Sequence, residues 1–121
     1  MSAYVISDIT VNNPERYEDY KKLAPPAIET YGGKYLARGG RAEKLEGNWE
    51  PDRIVILEFE SFETAKKWID SPEYREARAL RHQNASTNIL WWKVCKCYLT
   101  NFKRILVIYS EKNSSRTKNQ P

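Results

Sequence analysis

The sequence predicts an α+β fold in which an antiparallel sheet carries helices on one face. Short runs rich in β-branched residues alternate with amphipathic stretches in the order β-α-β-β-α-β. Two of the amphipathic stretches open on matching caps, Asn13-Pro14-Glu15 and Ser71-Pro72-Glu73. The glycine pairs Gly32-Gly33 and Gly39-Gly40 punctuate the boundaries. At 121 residues the chain suits one domain with a two-layer core.

Tyr4 to Val11 (YVISDITV) alternates as a strand does. In Asn13-Pro14-Glu15, Asn caps free N–H groups, Pro fits the first helical position and Glu favours the positive end of the dipole. Tyr17, Tyr20, Leu23 and Ala24 then recur at helical spacing, and Ala27-Ile28 extends the stripe. Pro25-Pro26 should kink or briefly interrupt this helix, and Gly32-Gly33 should end it through a left-handed residue. Lys34 to Ala37 reads as a second strand, broken at Gly39-Gly40 by a bulge or a close approach. Arg41 to Leu45 continues extended toward the loop Glu46 to Pro51. Arg53 to Phe59 (RIVILEF) is apolar on both faces, as expected of a central strand covered on both sides. Ser61 caps a helix with Phe62, Ala65, Trp68 and Ile69 facing inward. Ser71-Pro72-Glu73 opens another that runs to about Arg81 or Gln83, and Thr87 to Leu90 starts the last strand.

This is the ferredoxin-like arrangement, with its second helix broken in two at Ser71-Pro72. On the first strand Val5, Ser7 and Ile9 lie opposite Tyr4, Ile6 and Asp8; on the third, Ile54 and Ile56 lie opposite Val55, Leu57 and Phe59. One set must pack on the helices, which leaves the other as an apolar patch. A homodimer joined face to face across the sheets is the simplest way to cover it.

Composition changes after Leu90. Residues 1–92 carry 13 Lys and Arg against 15 Asp and Glu, whereas residues 93–121 carry 7 against 1, so the net charge of +4 belongs to the last quarter. Both cysteines, Cys95 and Cys97, also lie there. The chain divides into a domain over 1–95 and an atypical basic tail over 96–121, with Glu111 to Pro121 expected to be disordered. The tail's lysines and arginines interleave with Tyr98, Phe102 and Tyr109, a pattern that invites nucleic acid, but the mildly acidic domain argues against it. A lone His82 and a Cys-x-Cys without partners at zinc spacing argue against a metal, and no cofactor is expected. With no secretory pattern at the start and no apolar run of membrane-spanning length, a cytoplasmic protein without membrane partners is expected.

The chain resembles the family catalogued as domain of unknown function 1330. Tyr4 to Asp8, the Asn-Pro-x-x-Tyr-x-x-Tyr pattern at 13–20, and Tyr31-Gly-Gly-Lys-Tyr-Leu-Ala-Arg-Gly-Gly40 carry the resemblance. So do Leu57-Glu-Phe59, Ala65, Trp68, Ser71-Pro-Glu-Tyr74 and Arg81, over residues 3–90 in all. The resemblance implies a dimeric α/β barrel and no settled activity. Its wider fold group resembles cofactor-free monooxygenases, lactone isomerases, haem-dependent enzymes and ligand-sensing domains. Members usually finish their last strand with a run such as Val-Val-Glu-Gly-Val, where this chain has Trp91-Trp92-Lys93-Val94-Cys95. The codons GTG GTG GAA GGT GTG, less their first base, read Trp-Trp-Lys-Val and then a codon beginning TG. Residues 91–121 therefore read as the out-of-frame product of a one-base change, with a lineage-specific extension as the rival. Two adjacent tryptophans at valine sites should weaken the edge strand or shift the dimer contact.

No strong catalytic motif is present, so candidates come from polar residues on elements that should converge. Arg38, beside the glycine pair, can clamp a carboxylate or enolate oxygen; its structural alternative is an ion pair with Asp8 or Glu58. Asp8, in mid-strand, reads as a general base if buried, or as an arginine's partner. Arg38 and Asp8 form the candidate catalytic pair, and Tyr4, Tyr35, Arg38, Ser71, Tyr74 and Arg81 the candidate ligand-binding set. The tyrosines would donate hydroxyl hydrogen bonds, although Tyr17 and Tyr20 read as core. His82 reads as a solvent-facing helix end, and Trp49 as a lid or a partner contact. Three functions compete: a homodimer binding a small anionic organic molecule, with cofactor-independent catalysis if Asp8 reaches Arg38 across a cavity; a non-catalytic ligand-binding or stress-related module; and a structural dimerisation unit.

Overall fold

A computed structural model describes residues 2–94. The segment 95–121, with Cys95-x-Cys97, the proposed tail and its expected disorder, lies outside the described residues. The elements run β1 (Ala3–Val11), α1 (Pro14–Thr30), β2 (Lys34–Arg38), β3 (Arg53–Phe59), α2 (Phe62–Ile69), α3 (Pro72–Asn84) and β4 (Ala85–Lys93). The strands form one antiparallel sheet in the order β2-β3-β1-β4, so the α+β ferredoxin-like expectation holds.

The caps behave as read. Asn13 Oδ1 accepts from the Arg16 N–H at 3.1 Å, Ser61 Oγ from Thr64 at 3.0 Å and Ser71 Oγ from Tyr74 at 3.1 Å. Gly32 leaves α1 at φ 74°. Gly33 has a different reason for lacking a side chain: a Cβ there would stand 2.6 Å from Ile28 and 2.7 Å from the Phe59 ring. The helix does not break at Pro25-Pro26. The carbonyls deprived of a donor belong to Lys21 and Lys22, on the wetter side of α1, where water can replace the missing N–H groups. Ala24, Ala27 and Ile28, all buried, hold that turn against the core.

Alternation decides the layers. Ala3, Val5, Ser7 and Ile9 of β1 pair with Phe59, Leu57, Val55 and Arg53 of β3, and this set faces the helices. Ile6, Ile54 and Ile56 belong to the opposite face, only half-buried, so β3 is central but covered by helices on one side alone. In β2 the bulge falls at Leu36-Ala37, not at Gly39-Gly40: Tyr35 pairs with Leu57, Ala37 with Ile56 and Arg38 with Val55. The extra residue turns both Tyr35 and Arg38 toward the helices, although three positions separate them. Gly39 is instead the close approach, since a Cβ there would meet Arg53 Nη1 at 2.6 Å. Residues 39–52, including the stretch Arg41 to Leu45 read as extended, form no strand.

Nor is the last strand a weakened edge. β4 pairs with β1 from Ala85 to Lys93. Trp91 stacks on Phe62 with ring centroids 3.5 Å apart, and its Nε1 donates to the Phe62 carbonyl at 3.1 Å. Trp92 points to the open face beside Tyr4. Overpacking is avoided because each indole leaves the sheet at its margin, one toward α2 and one toward solvent.

Candidate functional site

The helix-facing side of the sheet and the helices above it leave a cavity between them. Its floor comes from Ser7, Ile9, Val55 and Leu57, with Ile89 at one side. α1 contributes Tyr17, Tyr20 and Lys21, β2 contributes Tyr35 and Arg38, and Arg53, Trp68, Tyr74 and Arg81 complete it. The enclosed space is about 30 Å³, room for about two waters or one carboxylate group.

Its electrostatics are one-sided. Three arginines and one lysine line it and no Asp or Glu does. Lys21 is neutralised by Glu18 at 2.6 Å. Among the described residues Arg38, Arg53 and Arg81 pair with no carboxylate. Arg81 is 4% exposed, and its Nε donates only a long 3.4 Å hydrogen bond to the Tyr74 hydroxyl. Arg53 Nε is buried without a partner. Burying an unpaired cation costs several kcal/mol, a cost that falls on buried Arg81 and, at its Nε, on half-buried Arg53. Arg38 lies exposed at the mouth with its guanidinium 4.7 Å above the Tyr35 ring.

The phenols supply neutral donors. Tyr20 and Tyr74 share a 2.8 Å hydroxyl–hydroxyl hydrogen bond. Burial pushes the Tyr17, Tyr20 and Tyr35 hydroxyls above the usual phenol range; Arg53 opposes this at Tyr17 and Arg38 at Tyr35. They remain protonated near neutral pH and can donate to an anion.

Of the ligand-binding set, Tyr35, Arg38, Tyr74 and Arg81 meet at the cavity. Tyr4 and Ser71 do not. Tyr4 points to the open face, where its hydroxyl donates to Glu58 at 3.0 Å, because even positions of β1 face away from the helices. Ser71 is occupied as the α3 cap and donates to the Trp68 carbonyl at 2.7 Å. Asp8 shares the face of Tyr4: its oxygens accept from Trp49 Nε1 at 2.6 Å and from the Asp52 N–H at 2.9 Å. The sheet thus separates Asp8 from Arg38, and the expected base does not reach the anion clamp. The ion-pair alternative for Arg38 also fails, for Asp8 by that separation and for Glu58 by its contact with Tyr4. Tyr17 and Tyr20 are both core and cavity wall. Arg53 was missed, although it is in phase with Val55, Leu57 and Phe59, the signal that it faces the helices.

A family described as Domain of unknown function (DUF1330) matches residues 2–93. No curated protein matches the chain by sequence. Among solved structures, a protein of unknown function from Rhodopseudomonas palustris is 25% identical with a TM-score of 0.64, over 78% of this chain and 83% of that one. A dimeric ferredoxin-like protein of unknown function from Jannaschia sp. is 8% identical with a TM-score of 0.60, over 78% and 100%. SnoaB, a cofactor-independent oxygenase from Streptomyces nogalater, is 9% identical with a TM-score of 0.58, over 78% and 94%. The last two likenesses concern the fold alone.

Proposed function

The chain belongs to the DUF1330 family, and from that premise we propose that it is a homodimer that binds a small organic anion, a carboxylate or enolate, between its sheet and helices. The observation that carries this reading is the buried Arg81, together with half-buried Arg53 and its unpartnered Nε, on a cavity with no carboxylate in its wall. A ligand carboxylate would take bidentate hydrogen bonds from an arginine and single ones from the phenols. Arg38 would close the mouth over it.

Recognition is favoured over catalysis by the groups available. The phenols are held protonated, and Asp8 is engaged by the 39–52 loop on the opposite face. An enzyme using these residues would need a general base from the ligand itself or from beyond the described residues. Dimerisation is supported by Ile6, Ile54, Ile56, Leu90 and Trp92 on the open face, with Leu90 58% and Trp92 50% exposed. A structural neighbour is itself described as dimeric.

Titration of a short carboxylate such as acetate or benzoate, followed by calorimetry, tests the proposal. Arg38→Ala should weaken binding at least tenfold while the melting temperature and dimer mass, read by light scattering, stay put. Unchanged affinity with Arg38→Ala removes Arg38 from the site. No carboxylate binding by the wild-type protein overturns the reading.

A further inference from the structure

Beside the cationic cavity runs a second, larger recess, between α2 and the edge strand β4. It measures about 240 Å³, against about 30 Å³ for the cavity. Val5, Ala65, Trp68, Ile69, Ile89 and Trp91 make its walls. Its polar members sit among them as Lys66, Asp70 and Arg78, and Arg78 and Asp70 neutralise each other at 3.0 Å. Lys66 lies 5.3 Å over the Trp91 ring. The recess is therefore an apolar trough with a neutral ion pair and one cation beside it.

The two spaces share walls. Trp68 and Ile89 line both of them. Trp68 is 2% exposed, and its Nε1 is buried with no hydrogen-bond partner. A buried N–H donor left unpaired is destabilising, and here it belongs to a partition between a charged chamber and an apolar one. Ile89, 37% exposed on the edge strand, forms the outer side of that partition.

We infer that the ligand is an elongated amphipathic carboxylate, whose head occupies the arginine cavity and whose apolar chain passes between Trp68 and Ile89 into the α2–β4 recess. This rests on the anion-binding reading and adds the chemical class of the ligand. A chamber of about 30 Å³ accepts a head group and little more, so a larger ligand must leave it somewhere, and the shared wall opens onto apolar surface. An oxygen carried on the chain near the head, as a ketone or hydroxyl, would also satisfy Trp68 Nε1.

The test is a homologous series of straight-chain carboxylates, acetate to decanoate, titrated into the wild-type protein and Ile69→Trp, a half-buried position that lines the recess and not the cavity. Each methylene that enters the recess should tighten binding about fourfold, as follows from about 0.8 kcal/mol per buried CH₂. Ile69→Trp fills the recess away from the arginines of the cavity; it should flatten that dependence and leave acetate binding as it was. Affinity independent of chain length in the wild-type protein overturns the inference while leaving the anion site standing. A length dependence that survives in Ile69→Trp also overturns it, because the chain then lies elsewhere. Failure of every member, acetate included, counts against the anion site itself.

Discussion

Replacing Arg81 by methionine should make the protein more stable and less able to bind. In the ligand-free molecule Arg81 contributes one hydrogen bond, the 3.4 Å contact to Tyr74, whose length puts it at the weak end of roughly 0.5–1.5 kcal/mol. Against this stands Arg81 itself, only 4% exposed and offset by no carboxylate among the described residues. Exchanging buried ions for apolar residues of similar volume ranges from neutral to stabilising by about 1–4 kcal/mol. The balance favours Arg81→Met by about 1 kcal/mol, a rise in melting temperature of roughly 4–8 °C for a domain of this size. Binding moves the other way: truncating one partner of a buried charge pair costs about 2–5 kcal/mol, so carboxylate affinity should fall at least thirtyfold. Thermal melts with and without ligand read both effects. A variant that melts lower and still binds carboxylate at wild-type affinity would show that Arg81 is a structural residue and refute the reasoning.

Two further expectations follow. His82 is the chain's single histidine, and burial, then Arg81 and Arg78, hold its pKa below the usual imidazole value. Between that lowered value and about 6.5 the unfolded chain binds more protons, so stability should decline as pH falls through 6.5 and then level off. The imidazole is largely exposed, so the effect is small; histidine NMR should nonetheless show the pKa rising in Arg81→Met, and a static pKa would mean the two groups do not interact. Gly39→Ala should destabilise the domain by about 1–3 kcal/mol, since φ is 73° and the new methyl would strike the Arg53 guanidinium; a denaturant midpoint equal to the wild type would mean that Arg53 is free to move.

Local signals made most of the fold legible. The caps at Asn13, Ser61 and Ser71 each use their side chain as read, and the division of the last helical region at Ser71-Pro72 is where the sequence puts it. Period-2 alternation in β1 separates two faces but does not say which one meets the helices; that is settled by packing between elements far apart in sequence. The helix runs through Pro25-Pro26 without the interruption expected as one alternative, because proline acts on a helix through its missing donor and here the carbonyls concerned lie toward water. Of the site, Arg38, Tyr35, Tyr74 and Arg81 could be found from sequence because each stands by a glycine pair or on a capped helix. Asp8 was misjudged because a mid-strand carboxylate gives no sign of its face until register is known, and the tryptophan that claims it is 41 positions away. Arg53 opens its strand, where a charge usually reads as a solvated end.

The bulge in β2 makes the division between pocket and interface depend on a count. Tyr35 lies before the extra residue and Arg38 after it, and only that odd step gives them the same neighbour above. Were β2 to pair without the bulge, Ala37 would stand opposite Val55 and Arg38 opposite Ile54, on the other side of the sheet. On the proposed reading an anion contact would then be lost and a charge gained on the open face. Deleting Leu36 would not do this: Tyr35 and Arg38 would stand two positions apart in a regular strand and keep one face.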